Sequence, residues 1–152
     1  LYHAGVRIFD TGGQGGTNFI AIEDQRGGMF RGELDSWGIP TAVSLAEVVD
    51  CKLPISVIAS GGIRSAADAA KALALGADMV GIAGPLLRIL LQSGVEELDR
   101  WISEFLYRLK AVFLMSGARD LAAIKEKPVV ILGRTAAWLK ARGIDPCLWA
   151  NR

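Results

Sequence analysis

The chain has 152 residues, 51% of them hydrophobic and 22% charged, with a formal net charge of +1. That is the length of one domain and the composition of a cored globular protein rather than a disordered one. With 17 basic and 16 acidic residues and no basic stripe, a nucleic-acid partner is not expected, and no apolar run reaches the roughly 18 residues of a membrane span. No charged segment followed by an apolar stretch opens the sequence, so no secretory signal is expected. Cys51 and Cys147 share no CxxC or His/Cys spacing. A disulfide framework or a zinc site is therefore not expected, and a reduced cytoplasmic setting fits. His3 is the single histidine and stands at the chain start, where a surface position is expected. No Ser/His/Asp or Cys/His set can be built from it. The first residue is Leu1 and a strand pattern begins at Val6, which reads as a piece of something longer.

Val6–Asp10 is a short apolar run and predicts a buried strand. A glycine-dense loop follows, Thr11-Gly12-Gly13-Gln14-Gly15-Gly16-Thr17-Asn18. Phe19–Arg26 reads as helical, and 27–38 as a long polar loop. Thr41 opens a helix with Ala42, Leu45, Val48 and Val49 on one face. Leu53-Pro54 stops it ahead of a second strand, Ile55–Ala59. Ala66–Leu75 predicts an alanine-rich helix closed by Gly76 in the left-handed conformation. Met79–Ala83 is the third strand, apolar throughout, as in a parallel sheet covered on both faces. After Pro85 the chain turns helical. Leu98, Ile102, Phe105, Leu109 and Val112 recur at helical spacing between Val95 and Met115, with Trp101, Tyr107 and Phe113 as core or subunit-packing residues. A break at Ser116-Gly117-Ala118 leads to a helix at Asp120–Lys125, an apolar run at Pro128–Leu132, and a helix at Thr135–Arg142 ended by Gly143.

Strand, helix, strand, helix, strand, then helices is an α/β order with parallel strands. An eight-stranded β/α barrel takes roughly 250 residues, so about three strands and the following helices make the C-terminal part of a (β/α)8 barrel.

Two consecutive strand ends stand out. The first is Ser60-Gly61-Gly62-Ile63-Arg64-Ser65 and the second Ala83-Gly84-Pro85. Unpaired N–H groups at a helix start, with their partial positive charge, suit an anion. Glycine lets the backbone come close to it, and Arg64 can add a charge-assisted contact. Either turn alone could be no more than a tight βα connection; the pair points to a phosphate at a barrel mouth. The loop at Gly12–Thr17 fits neither GxGxxG, since Asn18 stands where the third glycine belongs, nor a P-loop, since no GKS or GKT follows. At a strand end it would turn the Thr11 and Thr17 hydroxyls and several N–H groups toward the mouth. Asp10 faces the mouth or a neighbouring strand. Glu23, Asp24, Glu33 and Asp35 pair at no diagnostic spacing and read as solvated or loop-fixing.

Gly12–Phe19 (GGQGGTNF), Ser36–Leu45 (SWGIPTAVSL), Ile58–Asp78, Gly81–Pro85 (GIAGP), Ser116–Leu121 and Trp138–Gly143 together resemble the type 2 isopentenyl-diphosphate isomerases along essentially the whole chain. SGGIR with AGP is common to many FMN barrels; their combination with GGTNF and WGIPT is more specific. The resemblance implies an FMN-dependent barrel that interconverts isopentenyl and dimethylallyl diphosphate through a reduced-flavin-assisted 1,3-proton shift, with Mg²⁺ and a reductant such as NADPH. It implies that Thr17 contacts FMN, that Gly61, Gly62, Ile63 and Arg64 hold its phosphate, and that Ala83 and Gly84 complete that site. Phe19 stands where the family often has an aromatic. The family's catalytic Gln-Glu pair, whose Glu binds Mg²⁺, its FMN-contacting lysine and most diphosphate-binding residues belong to an N-terminal half that is absent here. The expectation is thus residues 1–152 as the C-terminal part of one barrel domain, with no catalytic residue and no metal ligand of its own, from a protein that is a homo-oligomer at full length. A 2-hydroxy-acid oxidase or glutamate-synthase-like barrel is the alternative. The former should carry a His/Arg-bearing strand end where GGQGGTN has no basic residue. A non-catalytic phosphate-binding fragment is the third reading.

Overall fold

The computed structural model describes residues 1–28 and 30–152; Met29, within the loop expected at 27–38, lies outside them. Among the described residues three strands, β1 (Ile8–Asp10), β2 (Ser56–Ser60) and β3 (Met79–Gly81), form one parallel sheet in chain order. Phe9 lies beside Val57, and Ala59 beside Val80. Each strand is a residue or two shorter or shifted from the apolar run that predicts it, because its ends feed directly into turns.

Helices α1 (Phe19–Gly27) and α2 (Thr41–Asp50) join β1 to β2, and α3 (Ala66–Leu75) joins β2 to β3. α3 starts on a capping box. The Ser65 hydroxyl accepts from Asp68 N–H, and the Asp68 carboxylate accepts from Ser65 N–H. That arrangement satisfies N–H groups the helix cannot pair internally. Gly76, at φ +125°, ends it. A Cβ there would lie 2.9 Å from the Val49 side chain on α2, so glycine is needed for packing as well as for the turn.

The covered face of the sheet carries Val57, Ala59 and Val80, which pack with Val43, Leu45, Ala46, Ala69 and Ala72 of α2 and α3. The alanines of α3 let that helix lie close to the strands. The other face carries Ile8, Asp10, Ser56, Met79 and Ser60, and there Ile8 and Met79 are 64% and 60% exposed. This corrects the expectation of a sheet covered on both faces: among the described residues, helices cover one face only. An all-apolar strand reports burial in the complete fold, not which elements supply the cover.

The chain turns helical at Gly84-Pro85, where expected. α4 runs from Gly84 to Met115, broken at Gly94, whose φ of 83° and ψ of −177° are accessible to glycine almost alone. α4 packs on α3, with Phe105 buried and Trp101 stacked on it at 5.2 Å between ring centres. Tyr107 points to solvent, so it is not a core residue. Helix α5 (Leu121–Lys125) packs on α3 and α6 (Gly133–Ala141) on α2. Residues 128–132 run between them without joining the sheet; Val129 N–H donates instead to Trp149 C=O. Trp149, in the short terminal helix α7 (Cys147–Ala150) that the sequence pattern did not predict, is buried and donates its indole N–H to Leu75 C=O at 2.9 Å.

Candidate functional site

The C-terminal ends of all three strands open on one concavity of about 900 Å³. Thr17, Gly61, Gly62, Ile63, Arg64, Ala83 and Gly84 all line it, so the residues expected at a phosphate are brought together. Ile63 contributes backbone only, since its side chain is buried in the core.

The hydrogen bonds divide the first strand end in two. Arg64 and Ser65 N–H both donate to the Asp68 carboxylate, at 3.3 and 3.1 Å, and the Ser65 hydroxyl does so at 2.8 Å. Burial alone would raise the Asp68 carboxyl; the Ser65 hydroxyl, the two backbone N–H groups and the charge of Lys71 outweigh it and hold the group below the ordinary carboxylate range. Those N–H groups are therefore not available to a ligand. Among the described residues, the N–H groups of Gly61, Gly62, Ile63, Ala83 and Gly84 have no hydrogen-bond partner within the chain. The unpaired N–H groups at this strand end are thus those of Gly61, Gly62 and Ile63, and not those of Arg64 and Ser65.

The glycine loop after β1 faces the mouth as expected, with Gly12, Gly13, Gly15, Gly16 and Thr17 lining it, but the N–H groups of Gly12, Gly13, Gln14 and Gly16 are bonded within the chain and its glycines also serve packing. A Cβ on Gly13 would lie 2.3 Å from the Thr41 Cα, one on Gly61 2.1 Å from the Gly13 carbonyl oxygen, and one on Gly16 2.9 Å from the Gly61 Cα. The two glycine turns are packed backbone on backbone. The Thr11 hydroxyl donates to Ile58 C=O at 3.4 Å, which ties β1 to β2 and takes it out of the mouth, whereas Thr17 does line it. Asn18 caps α1 and donates to Asp35 C=O at 2.7 Å.

Asp10 faces the mouth, where its carboxylate accepts from Gly12 N–H at 3.0 Å and from the Ser60 hydroxyl; it clamps two strand ends. Asp24 fixes its loop by accepting from Gly32, Phe30 and Arg31 N–H, with Gly32 foremost in holding its carboxyl below the ordinary range. Glu23 pairs at the surface with Arg26. Phe19, largely exposed, lines the mouth. Further lining residues escaped the sequence reading, Arg88 and Trp101 among them. Arg88 stands one helical turn beyond Gly84, the spacing that puts both on one face, and Trp101 reaches the mouth from beyond the Gly94 break.

Residues 33–131 match the family described as FMN-dependent dehydrogenase. The chain belongs to that family. It is 52% identical, over 93% of its length, to an isopentenyl-diphosphate delta-isomerase of Moorella thermoacetica, of which it covers 41%. It is 47% identical, over its whole length, to an isopentenyl-diphosphate delta-isomerase of Symbiobacterium thermophilum, of which it covers 43%. The chain thus spans about two fifths of the length of these curated relatives. A crystal structure of a mandelate oxidase variant superposes with a TM-score of 0.55 at 26% identity, over 58% of this chain and 27% of that one. The fold is accordingly part of a (β/α)8 barrel, and the concavity lies at the strand ends where such barrels carry their sites.

Proposed function

We propose that this chain is the C-terminal portion of an isopentenyl-diphosphate isomerase that uses FMN, and that its strand ends hold the phosphate of that cofactor. The observation that carries this reading is the gathering of Gly61, Gly62, Ile63, Ala83 and Gly84, with unpaired N–H groups, around one mouth beside Arg64, in a chain 52% identical to a curated isomerase. The donor set fits a phosphate dianion. It offers several N–H groups and two arginines, since Arg88 lines the same mouth as Arg64. The start of α4 adds the partial positive charge of a helix N-terminus.

In this reading Gly61, Gly62, Ile63, Ala83 and Gly84 bind the phosphate through backbone N–H, Arg64 and Arg88 neutralise it, and Thr17 and Phe19 border the path from the phosphate toward the barrel axis. When bound and reduced, FMN would assist the net 1,3-proton shift between isopentenyl and dimethylallyl diphosphate. The chain's own part is to fix the cofactor's tail, and with it the position of the ring. The groups that move the proton belong to the remainder of the barrel, which also closes the open face around Ile8 and Met79. Among the described residues no group of three or more His, Cys, Asp or Glu side chains could hold a metal ion. Mg²⁺ and NADPH as reductant are part of the proposal for the full-length protein. No helix among the described residues is long and apolar enough to cross a membrane, and both cysteines are exposed free thiols; a cytoplasmic homo-oligomer is our proposal for the full-length protein.

The test is anaerobic turnover by the full-length protein that carries this sequence, with reduced FMN, Mg²⁺ and isopentenyl diphosphate. Dimethylallyl diphosphate should form. Its absence, with hydroxy-acid-dependent flavin reduction in its place, would move the protein to the oxidases of the same family.

A further inference from the structure

Thr41 touches the glycine turns from behind. It is the first residue of α2, set there by Pro40, and it does not line the mouth. Its hydroxyl lies 2.5 Å from the Gly61 carbonyl oxygen and 3.2 Å from that of Gln14. One hydroxyl carries one proton, and the nearer acceptor is Gly61. One residue earlier, the Ser60 carbonyl accepts from Gly13 N–H at 3.0 Å. Two successive carbonyls of the turn are thus held on the side of the first glycine loop and α2.

A trans peptide is planar, with its N–H pointing opposite to its C=O; no cis peptide occurs among the described residues. Fixing the Ser60 and Gly61 carbonyls therefore fixes the N–H groups of Gly61 and Gly62 on the opposite side. That is the side away from Thr41, and both N–H groups lack a partner within the chain. Gly61 at φ +96° and Gly62 at φ +81° have no side chain of their own to hold these peptide planes. A glycine pair left to itself would be a poor anion cradle, because its peptide planes would have to be ordered when the ligand arrives.

We propose that Thr41 is a positioning residue for the phosphate site: its hydroxyl sets the Gly61–Gly62 peptide plane so that the Gly62 N–H is aimed at the phosphate before the cofactor binds. The proposal rests on the reading that the mouth holds the FMN phosphate. It is tested in the full-length protein by titrating FMN and riboflavin, which lacks the phosphate, against the native protein and three variants. Thr41→Val keeps the shape and removes the hydroxyl. Thr41→Ala removes it without a second methyl against Gly13. Thr41→Ser retains it.

The native protein should prefer FMN over riboflavin. Thr41→Val and Thr41→Ala should each lose about tenfold of that preference, the size of a hydrogen bond to a charged group, with riboflavin affinity little changed, and Thr41→Ser should keep it. If the hydroxyl-free variants keep the full preference, or if FMN and riboflavin weaken together, or if Thr41→Ser loses as much as Thr41→Val, Thr41 does not aim the turn. If the native protein shows no preference for FMN, the phosphate reading itself fails and the proposal falls with it, an outcome distinct from the others.

Discussion

The two strand ends at the mouth both carry glycine, for opposite reasons. At the end of β2, Gly61 is hemmed in by other backbone, and a Cβ there would lie 2.1 Å from the Gly13 carbonyl oxygen. At the end of β3, Gly84 has no protein atom within 4 Å of where its Cβ would stand. The first glycine is required by the chain's own packing. The second stands beside space that no described residue fills, on the mouth. The same letter in a motif thus marks a structural demand in one turn and open space in the next, and only the neighbours tell them apart.

That contrast can be broken by substitution. The largest effect is expected for Gly61→Ala, which meets both a positive φ and a fixed backbone oxygen; it should cost about 3 kcal/mol or more of unfolding free energy, read by chemical denaturation. A loss below about 1 kcal/mol would mean that the two loops can part freely. Next comes Arg64→Ala, whose effect belongs to binding. FMN affinity should fall by about 1–3 kcal/mol, with riboflavin affinity and thermal midpoint unchanged. An unaltered FMN dissociation constant would remove Arg64 from the site.

Asp68 offers a smaller lever on the same turn. Its carboxyl is held below the ordinary range by the Ser65 hydroxyl and the Arg64 and Ser65 N–H groups, against its burial. The stability it contributes is therefore full above about pH 4 and is lost as pH falls through its lower native value. Asp68→Ala should cost about 1 kcal/mol at neutral pH, as for a lost helix cap, and should flatten the acid limb of stability against pH. An identical acid limb in the variant would place that titration elsewhere. Gly84→Ala should be the mildest change to the fold, within about 0.5 kcal/mol, while FMN binding weakens severalfold. Unchanged FMN affinity would mean that the gap at Gly84 is not used.

Much of the fold is legible in the sequence. The 3.6-residue spacing of Ala66–Leu75, its Ser65 cap and its Gly76 stop are local, so helix α3 falls where the pattern puts it. The strand runs are read nearly as well, because short apolar segments between turn residues leave few other choices. The break in α4 at Gly94 and the buried Trp149 are not legible. A helical pattern with one glycine does not reveal where the axis breaks, and Trp149 is buried by packing with core residues from far along the chain, its indole N–H satisfied by the Leu75 carbonyl.

The site divides along the same line. Gly61, Gly62, Ile63, Arg64, Ala83 and Gly84 are marked by the sequence because two short strand ends in succession display them. Thr41, Arg88 and the locking of one glycine loop against the other come from segments distant in sequence, and their contacts exist only once the strands are paired. The sequence by itself determined which backbone groups could be left unpaired, because glycine content and helix starts are local properties. Tertiary structure decided which of them are: Asp68 consumes the N–H groups of Arg64 and Ser65, Thr41 and Gly13 hold the carbonyls of Gly61 and Ser60, and what remains faces the mouth. The physical reason is that a hydrogen bond is a matter of distance and direction in space, and neither is written in the order of residues.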